Sequence, residues 1–165
     1  MATAQRTYLE MREPSALRSA RIDDPTIRVE HAADCFPALW RFLYSEVGRK
    51  YRWVDRLGWT DERIRSHLDN DAVSIWLMTV KGTLAGYFEL QRDADDGIEI
   101  AYFGLFDEFT GRGLGGHLLT VAAETAWRMT SHRVWLHTCS LDHPAALPNY
   151  MKRGFTLFKT EEYSL

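Results

Sequence analysis

Between residues 109 and 119 the chain reads Phe109-Thr110-Gly111-Arg112-Gly113-Leu114-Gly115-Gly116-His117-Leu118-Leu119. No other stretch limits the fold as strongly. A strand pattern, Ile98–Phe106, runs into it, and a helical stripe of Leu114, Leu118, Val121, Ala122, Thr125 and Met129 leaves it. Four glycines within six residues, Gly111, Gly113, Gly115 and Gly116, weaken the start of a helix. A bare strand-to-helix connection needs only one. Glycines allow positive φ and close approach of another molecule to the backbone. The first helical turn carries unpaired N–H groups and partial positive charge. Together these features make an anion site suited to a phosphate or diphosphate.

Three classes of phosphate site compete. A Walker loop needs Lys and then Ser or Thr after its last glycine, where this chain has His117-Leu118. The dinucleotide fingerprint is formally present as Gly111-x-Gly113-x-x-Gly116. Its acidic partner is missing, because the following strand region reads Val134-Trp135-Leu136-His137-Thr138. The third class is an acyl-CoA diphosphate site. The segment Thr110–Gly115 fits the loop pattern Gln/Arg-x-x-Gly-x-Gly/Ala at both glycines, with Thr110 in place of the Gln or Arg and Arg112 still able to offer charge. Downstream, His143–Phe155 matches Asn-x-x-Ala-x-x-x-Tyr-x-x-x-Gly-Phe at Ala146, Tyr150, Gly154 and Phe155, with His143 in place of the Asn.

On these two motifs the chain resembles the GNAT superfamily of acyl-CoA-dependent N-acyltransferases over roughly residues 26–160. The resemblance implies an α/β (α+β) fold: a mixed, mostly antiparallel sheet of six to seven strands, splayed in the middle and flanked by about four helices. It implies acetyl-CoA as cosubstrate, with Thr110, Gly111, Arg112, Gly113, Leu114, Gly115 and Gly116 at its diphosphate. By the family's register the Phe103 N–H meets the acyl carbonyl, and Leu105 pairs with the pantetheine arm as an added strand would. Gly104 fits a bulge in that strand.

The elements around the motifs agree. Thr26–Glu30 reads as a strand. A helix capped by Asp34 runs toward Gly48, and a second is capped by Thr60 and runs through Ile64 and Leu68. Val73–Val80 and Leu84–Leu90 read as strands joined at Lys81-Gly82-Thr83. Val134–Thr138 reads as a strand, Pro144 to Lys152 as a short helix and Phe155–Phe158 as a last strand. Residues 1–25 read either as a flexible leader or as a short strand tied to the body. Residues 26–165 read as one acyltransferase domain, a usual size for a single core.

Acyl transfer from a thioester to an amine needs a base, an oxyanion donor and an acid for the departing thiolate. Glu99 is the candidate base, eleven residues before Thr110 and flanked by Ile98 and Ile100, whose burial would raise its pKa. Glu89 on the neighbouring strand is the rival, and a bound water the third option. Tyr150 is the candidate acid. Trp53, Asp55 and Trp59, in the aromatic and charged segment 51–59, are candidate acceptor contacts, as are Glu89 and His143. His137, Cys139 and Asp142 imitate a nucleophile constellation, but residues at that spacing on one strand rarely reach triad geometry.

The net charge of −3 gives no pull toward nucleic acid or an anionic membrane. Cys35 and Cys139 form no disulfide framework and no zinc-ligand spacing, so no metal is expected. With no apolar signal region near Met1, a cytoplasmic location is expected. The expected partner is a small-molecule or peptide amine. Exposed edges and helices in such folds often support a homodimer. The reading from another class is an acyl-CoA-binding sensor or interaction module without turnover, against which Glu99 and Tyr150 both count.

Overall fold

A computed structural model describes residues 1–130 and 132–165. Its strands are β1 (Thr3–Met11), β2 (Ile27–His31), β3 (Val73–Val80), β4 (Thr83–Arg92), β5 (Ile98–Leu105), β6 (Val134–Cys139) and β7 (Thr156–Ser164). The helices are α1 (Pro37–Gly48), α2 (Asp61–Leu68), α3 (Leu114–Trp127) and α4 (Ala146–Lys152). One sheet in the order β2-β3-β4-β5-β6-β1-β7 runs through the molecule. Every described neighbour pair is antiparallel except β5 and β6, which are parallel. The sheet is the mostly antiparallel, seven-stranded one the resemblance implied.

Of the two forms left open for the first 25 residues, β1 is a strand. It is an interior one, with β6 on one side and β7 on the other. The chain then crosses the start of α3. The Ala20 N–H donates to Thr120 Oγ1 at 2.9 Å, and the Ile22 N–H donates to His117 Nδ1 at 2.9 Å.

The sheet buries both faces. Leu9, Phe88, Leu90, Ile98, Ile100 and Leu136 pack beneath α3, which contributes Leu118, Leu119, Ala122 and Ala126. On the other face Ile75 and Tyr87 meet Trp40, Leu43 and Val47 of α1 and Ile64 of α2. Strand alternation assigns Tyr87 to one face and Phe88 to the other.

Four local expectations need correction. The cap of α1 is Phe36, not Asp34, because Pro37 takes the first helical position, where a missing N–H costs nothing. Pro144 lies in a turn ahead of α4, which starts at Ala146. The last strand continues to Ser164, since β1 offers it a partner over that length. The bulge in β5 falls at Ala101, where the register jumps from Glu89↔Tyr102 to Leu90↔Ile100, and not at Gly104. Gly104 is glycine for another reason: a Cβ there would stand 2.4 Å from Val47 Cγ1 of α1. Thr60 does cap α2, its hydroxyl accepting from the Arg63 N–H at 3.2 Å. Among the described residues no helix is long and apolar enough to cross a membrane.

The bulge decides what faces what. Ile98 and Ile100 point under α3, and so do Phe103 and Leu105 beyond the extra residue. Glu99 and Tyr102 thereby share the opposite face, the one covered by α1 and α2.

Candidate active site

The parallel pairing of β5 with β6 stops after Ile98↔Val134 and Glu99↔Trp135. Both strands continue, β5 to Leu105 and β6 to Cys139, but they part. A cavity of about 920 Å³ fills the gap. One wall is the β5 backbone from Ile100 to Leu105, whose polar groups on the β6 side have lost their ladder partner.

The glycine loop closes one end. Gly111 and Gly113 both have φ of +77°, a region closed to ordinary side chains without strain. Gly113 is the N-cap of α3 and its carbonyl accepts from the His117 N–H. The N–H groups of Leu114, Gly115 and Gly116 therefore lie in the unpaired first turn. Thr110, Gly111, Arg112, Gly113, Gly115 and Gly116 line the cavity. Leu114 turns its side chain into the core and offers the site only its main chain. A Cβ on Gly116 would stand 2.7 Å from Arg153 Nη1, the movable end of that side chain, and 3.1 Å from the Ala20 Cβ, so the turn is closely packed here. Asn149 of α4 donates from Nδ2 to the Gly115 carbonyl at 3.1 Å and ties α4 to the loop.

Tyr150 of α4 is 7% exposed and lines the cavity, its ring edge-on to Phe103 at 6.1 Å and to Phe155 at 6.4 Å. Burial, reinforced by Asp142, pushes its hydroxyl well above the ordinary phenol range, so it stays protonated at neutral pH. Glu99 is half-buried among its neighbours and pushed up to about 7, chiefly by desolvation and further by the Glu89 charge, against the pull of Arg56. Its carboxyl stands behind the cavity wall rather than in it.

Glu89, the rival base, is a buried structural anion. It is 1% exposed and receives Arg56 Nη1 and Nη2 on its two oxygens, each at 2.9 Å. Gln91 Nε2 donates to it at 2.6 Å, Trp40 Nε1 donates at 3.4 Å, and His67 Nε2 lies 3.3 Å away. Burial alone would raise its pKa, but His67 and Arg56 outweigh burial and hold it at about 2. It does not reach the cavity. Neither does Trp59, whose ring stacks on Trp40 at 5.4 Å beneath Arg56 and Arg63. Trp53 and Asp55 do line it, on the loop between α1 and α2. His143 lines it as well, with Nδ1 accepting from the Ala145 N–H at 3.0 Å ahead of α4.

Asp142 accepts from the Thr138 hydroxyl at 2.5 Å and the Cys139 N–H at 2.9 Å, closing the end of β6. It is no partner for a His137–Cys139 nucleophile. Residues that the motifs missed also reach the cavity: Arg6 from β1, Tyr163 from β7, and His137. Arg6 lies in the segment left open between leader and strand, and Tyr163 lies beyond Phe158, where the last strand was expected to end. His137 carried a usable signal, the alternation of β6 that buries Leu136 and turns its neighbours the other way.

A glycine cradle thus stands beside an open strand edge, and the model of the acetyltransferase (GNAT) family matches the chain across residues 32–155. The chain belongs to the GNAT acetyltransferase family. No curated protein sequence matches it. Solved structures with the same fold include a GCN5-related N-acetyltransferase from Kribbella flavida, with TM-score 0.68 and 16% identity over 94% of this chain and 55% of that one. A second, from Sphaerobacter thermophilus, has TM-score 0.65 and 18% identity over 97% and 50%. An aminoglycoside acetyltransferase from an uncultured soil metagenomic sample, in complex with trehalose, has TM-score 0.64 and 13% identity over 79% and 88%. The chain spans about half to three-fifths of the length of the first structures it resembles. In GNAT terms the parting of β5 from β6 is the splay of the sheet, and the site stands in it.

Proposed function

We propose that this GNAT protein transfers an acetyl group from acetyl-CoA directly to a primary amine of a small molecule or peptide, within a ternary complex. The observation that carries this reading is the single cavity opened by the parting of β5 and β6, which runs from the glycine loop to Tyr150. The loop fits a diphosphate: it has left-handed glycines, unpaired amides and Arg112 beside it. The main chain of residues 111–116 would hold that group, and the open edge at Phe103 and Leu105 would take the amides of the pantetheine arm. Bound acetyl-CoA supplies the thioester.

The chain's own groups do the rest. Glu99, near neutrality, takes up the proton that the attacking ammonium must lose. The Phe103 N–H donates to the oxygen on which charge builds. Tyr150, protonated by its burial, gives its proton to the departing sulfur. Asp55 and Asp142 put negative charge on the acceptor side of the cavity, and Trp53 adds an aromatic face, a chemistry that suits a cationic amine. The aminoglycoside acetyltransferase among the fold relatives is consistent with that class of acceptor.

Release of free CoA thiol across a panel of polyamines, aminoglycosides and peptide N-termini tests the reading. Tyr150→Phe should cut turnover on the order of 10²-fold or more while acetyl-CoA affinity holds, the usual weight of a general acid. Wild-type turnover in that variant removes Tyr150 from the chemistry. No thiol release by the wild type with any amine favours a binding module without turnover.

A further inference from the structure

Glu99 stands behind the cavity wall, and a base must come within hydrogen-bond reach of the proton it takes, directly or through one carrier. The wall beside it holds a histidine that neither motif includes. His137 lies on β6, two residues beyond the last rung that pairs β6 with β5, so it is the first side chain on its face past the parting. It lines the cavity, and its Nε2 lies 3.7 Å from Glu99 Oε1 across the gap, about 0.5 Å beyond hydrogen-bond reach, so the two side chains must close up before a proton passes. A flat neighbour, Tyr8 of β1, supports the ring at 5.5 Å.

We propose that His137 relays the acceptor's proton to Glu99, receiving it at one ring nitrogen while the other nitrogen hands its own proton to the carboxylate. The proposal rests on the acetyl-transfer reading above. An ammonium N–H bond breaks and an imidazole N–H bond forms. At the opposite ring nitrogen an N–H bond breaks and a carboxyl O–H bond forms. The amine is left neutral with its lone pair free, and the imidazole ends neutral in its other tautomer.

The surroundings of the two groups suit these roles. Desolvation inside the cleft, and then Arg6 from β1, hold the His137 pKa below the usual histidine value, while Asp142 beyond β6, Asp55 from the α1–α2 loop and Glu161 of β7 oppose that shift. The imidazolium is thus a poor resting place for the proton. Glu99 is a good one: burial, Glu89 of β4 and Asp93 in the β4–β5 turn all raise it, and Arg56 alone opposes them. The carrier that does not keep the proton faces the acceptor, and the group that keeps it stands behind.

Histidine-selective ¹⁵N labelling of the full chain tests the relay without any acceptor. The His137 signals are assigned by their loss in His137→Gln. Expected is a ring that is neutral at pH 7 and whose nitrogen shifts inflect near that pH as Glu99 ionises, with the inflection gone in Glu99→Gln. Shifts that stay flat through pH 7, or an inflection that survives Glu99→Gln, overturn the relay. The second readout is CoA-thiol release with spermidine and sisomicin as probe amines. His137→Gln should lower kcat on the order of 10²-fold with the acetyl-CoA KM unchanged, and a wild-type kcat overturns the relay. Absence of turnover by the wild type counts against the acetyl-transfer reading, and the coupled titration still decides the relay.

Discussion

Replacing Glu99 by Gln should stabilise the protein at alkaline pH while it disables the site. The carboxyl titrates at about 7 in the fold against an ordinary 4.5, because burial and the Glu89 charge disfavour its ionised form. Between those two values the unfolded chain has lost the proton and the folded chain still holds it. Folding then costs more as pH rises, and the cost is complete above 7. A shift of that size corresponds to about 3 kcal/mol at about 1.4 kcal/mol per pH unit. Glutamine cannot ionise and is free of the penalty. The stability difference between Glu99→Gln and wild type, by urea unfolding, should therefore be about 3 kcal/mol more favourable to the variant at pH 8.5 than at pH 4.5. In thermal unfolding this is roughly 6–12 °C for a chain of this size. A difference that does not change with pH would mean that Glu99 ionises at its ordinary value, and the argument for it as the site's base would fail.

Arg56→Ala should cost about 3–5 kcal/mol, because it strands the buried Glu89 carboxylate without its bidentate partner; denaturant titration measures it. The intact pair makes the opposite pH prediction to Glu99: with Glu89 held at about 2 instead of 4.5, its stabilisation is full above 4.5 and fades as pH falls toward 2, which acid unfolding followed by circular dichroism checks. Gly104→Ala should cost about 1–3 kcal/mol by forcing a methyl against Val47, and Val47→Ala in the same chain should return part of that loss in a double-mutant cycle.

The parts of the site that were legible in the sequence are those carried by local chemistry. The glycines of the loop and the Ala146–Tyr150–Gly154–Phe155 spacing are fixed by backbone geometry within a few residues, so a short window contains the whole reason for them. β1 was ambiguous because its reasons are remote. Arg6 pairs with Cys139 and Glu161, and the buried Glu10 needs Arg133 at 2.9 Å on one oxygen besides its neighbour Arg12 at 2.8 Å on the other; Cys139, Glu161 and Arg133 are all far off in the chain. Glu89 looked like a base because a lone carboxylate in a strand does; Arg56 and His67, which lock it, come from the loop before α2 and from α2 itself. The glycine in β5 pointed to a bulge at the wrong residue. Gly104 answers to Val47 of α1, while the bulge at Ala101 leaves no mark on residue type. His137 was read within its own strand, where it had only Cys139 for company, although its partner stands on the strand that parts from it.

Everything assigned to Glu99, His137 and Tyr150 depends on the amides of residues 111–116 cradling the diphosphate of acetyl-CoA. Titration calorimetry of the full chain with acetyl-CoA, repeated with Gly113→Ala, which a φ of +77° strains, is the direct test. Expected are saturable one-to-one binding to the wild type and affinity at least about tenfold weaker in the variant, the loss of roughly one good hydrogen bond to a charged group. No heat of binding at millimolar acetyl-CoA, or equal affinity in the two proteins, would contradict it.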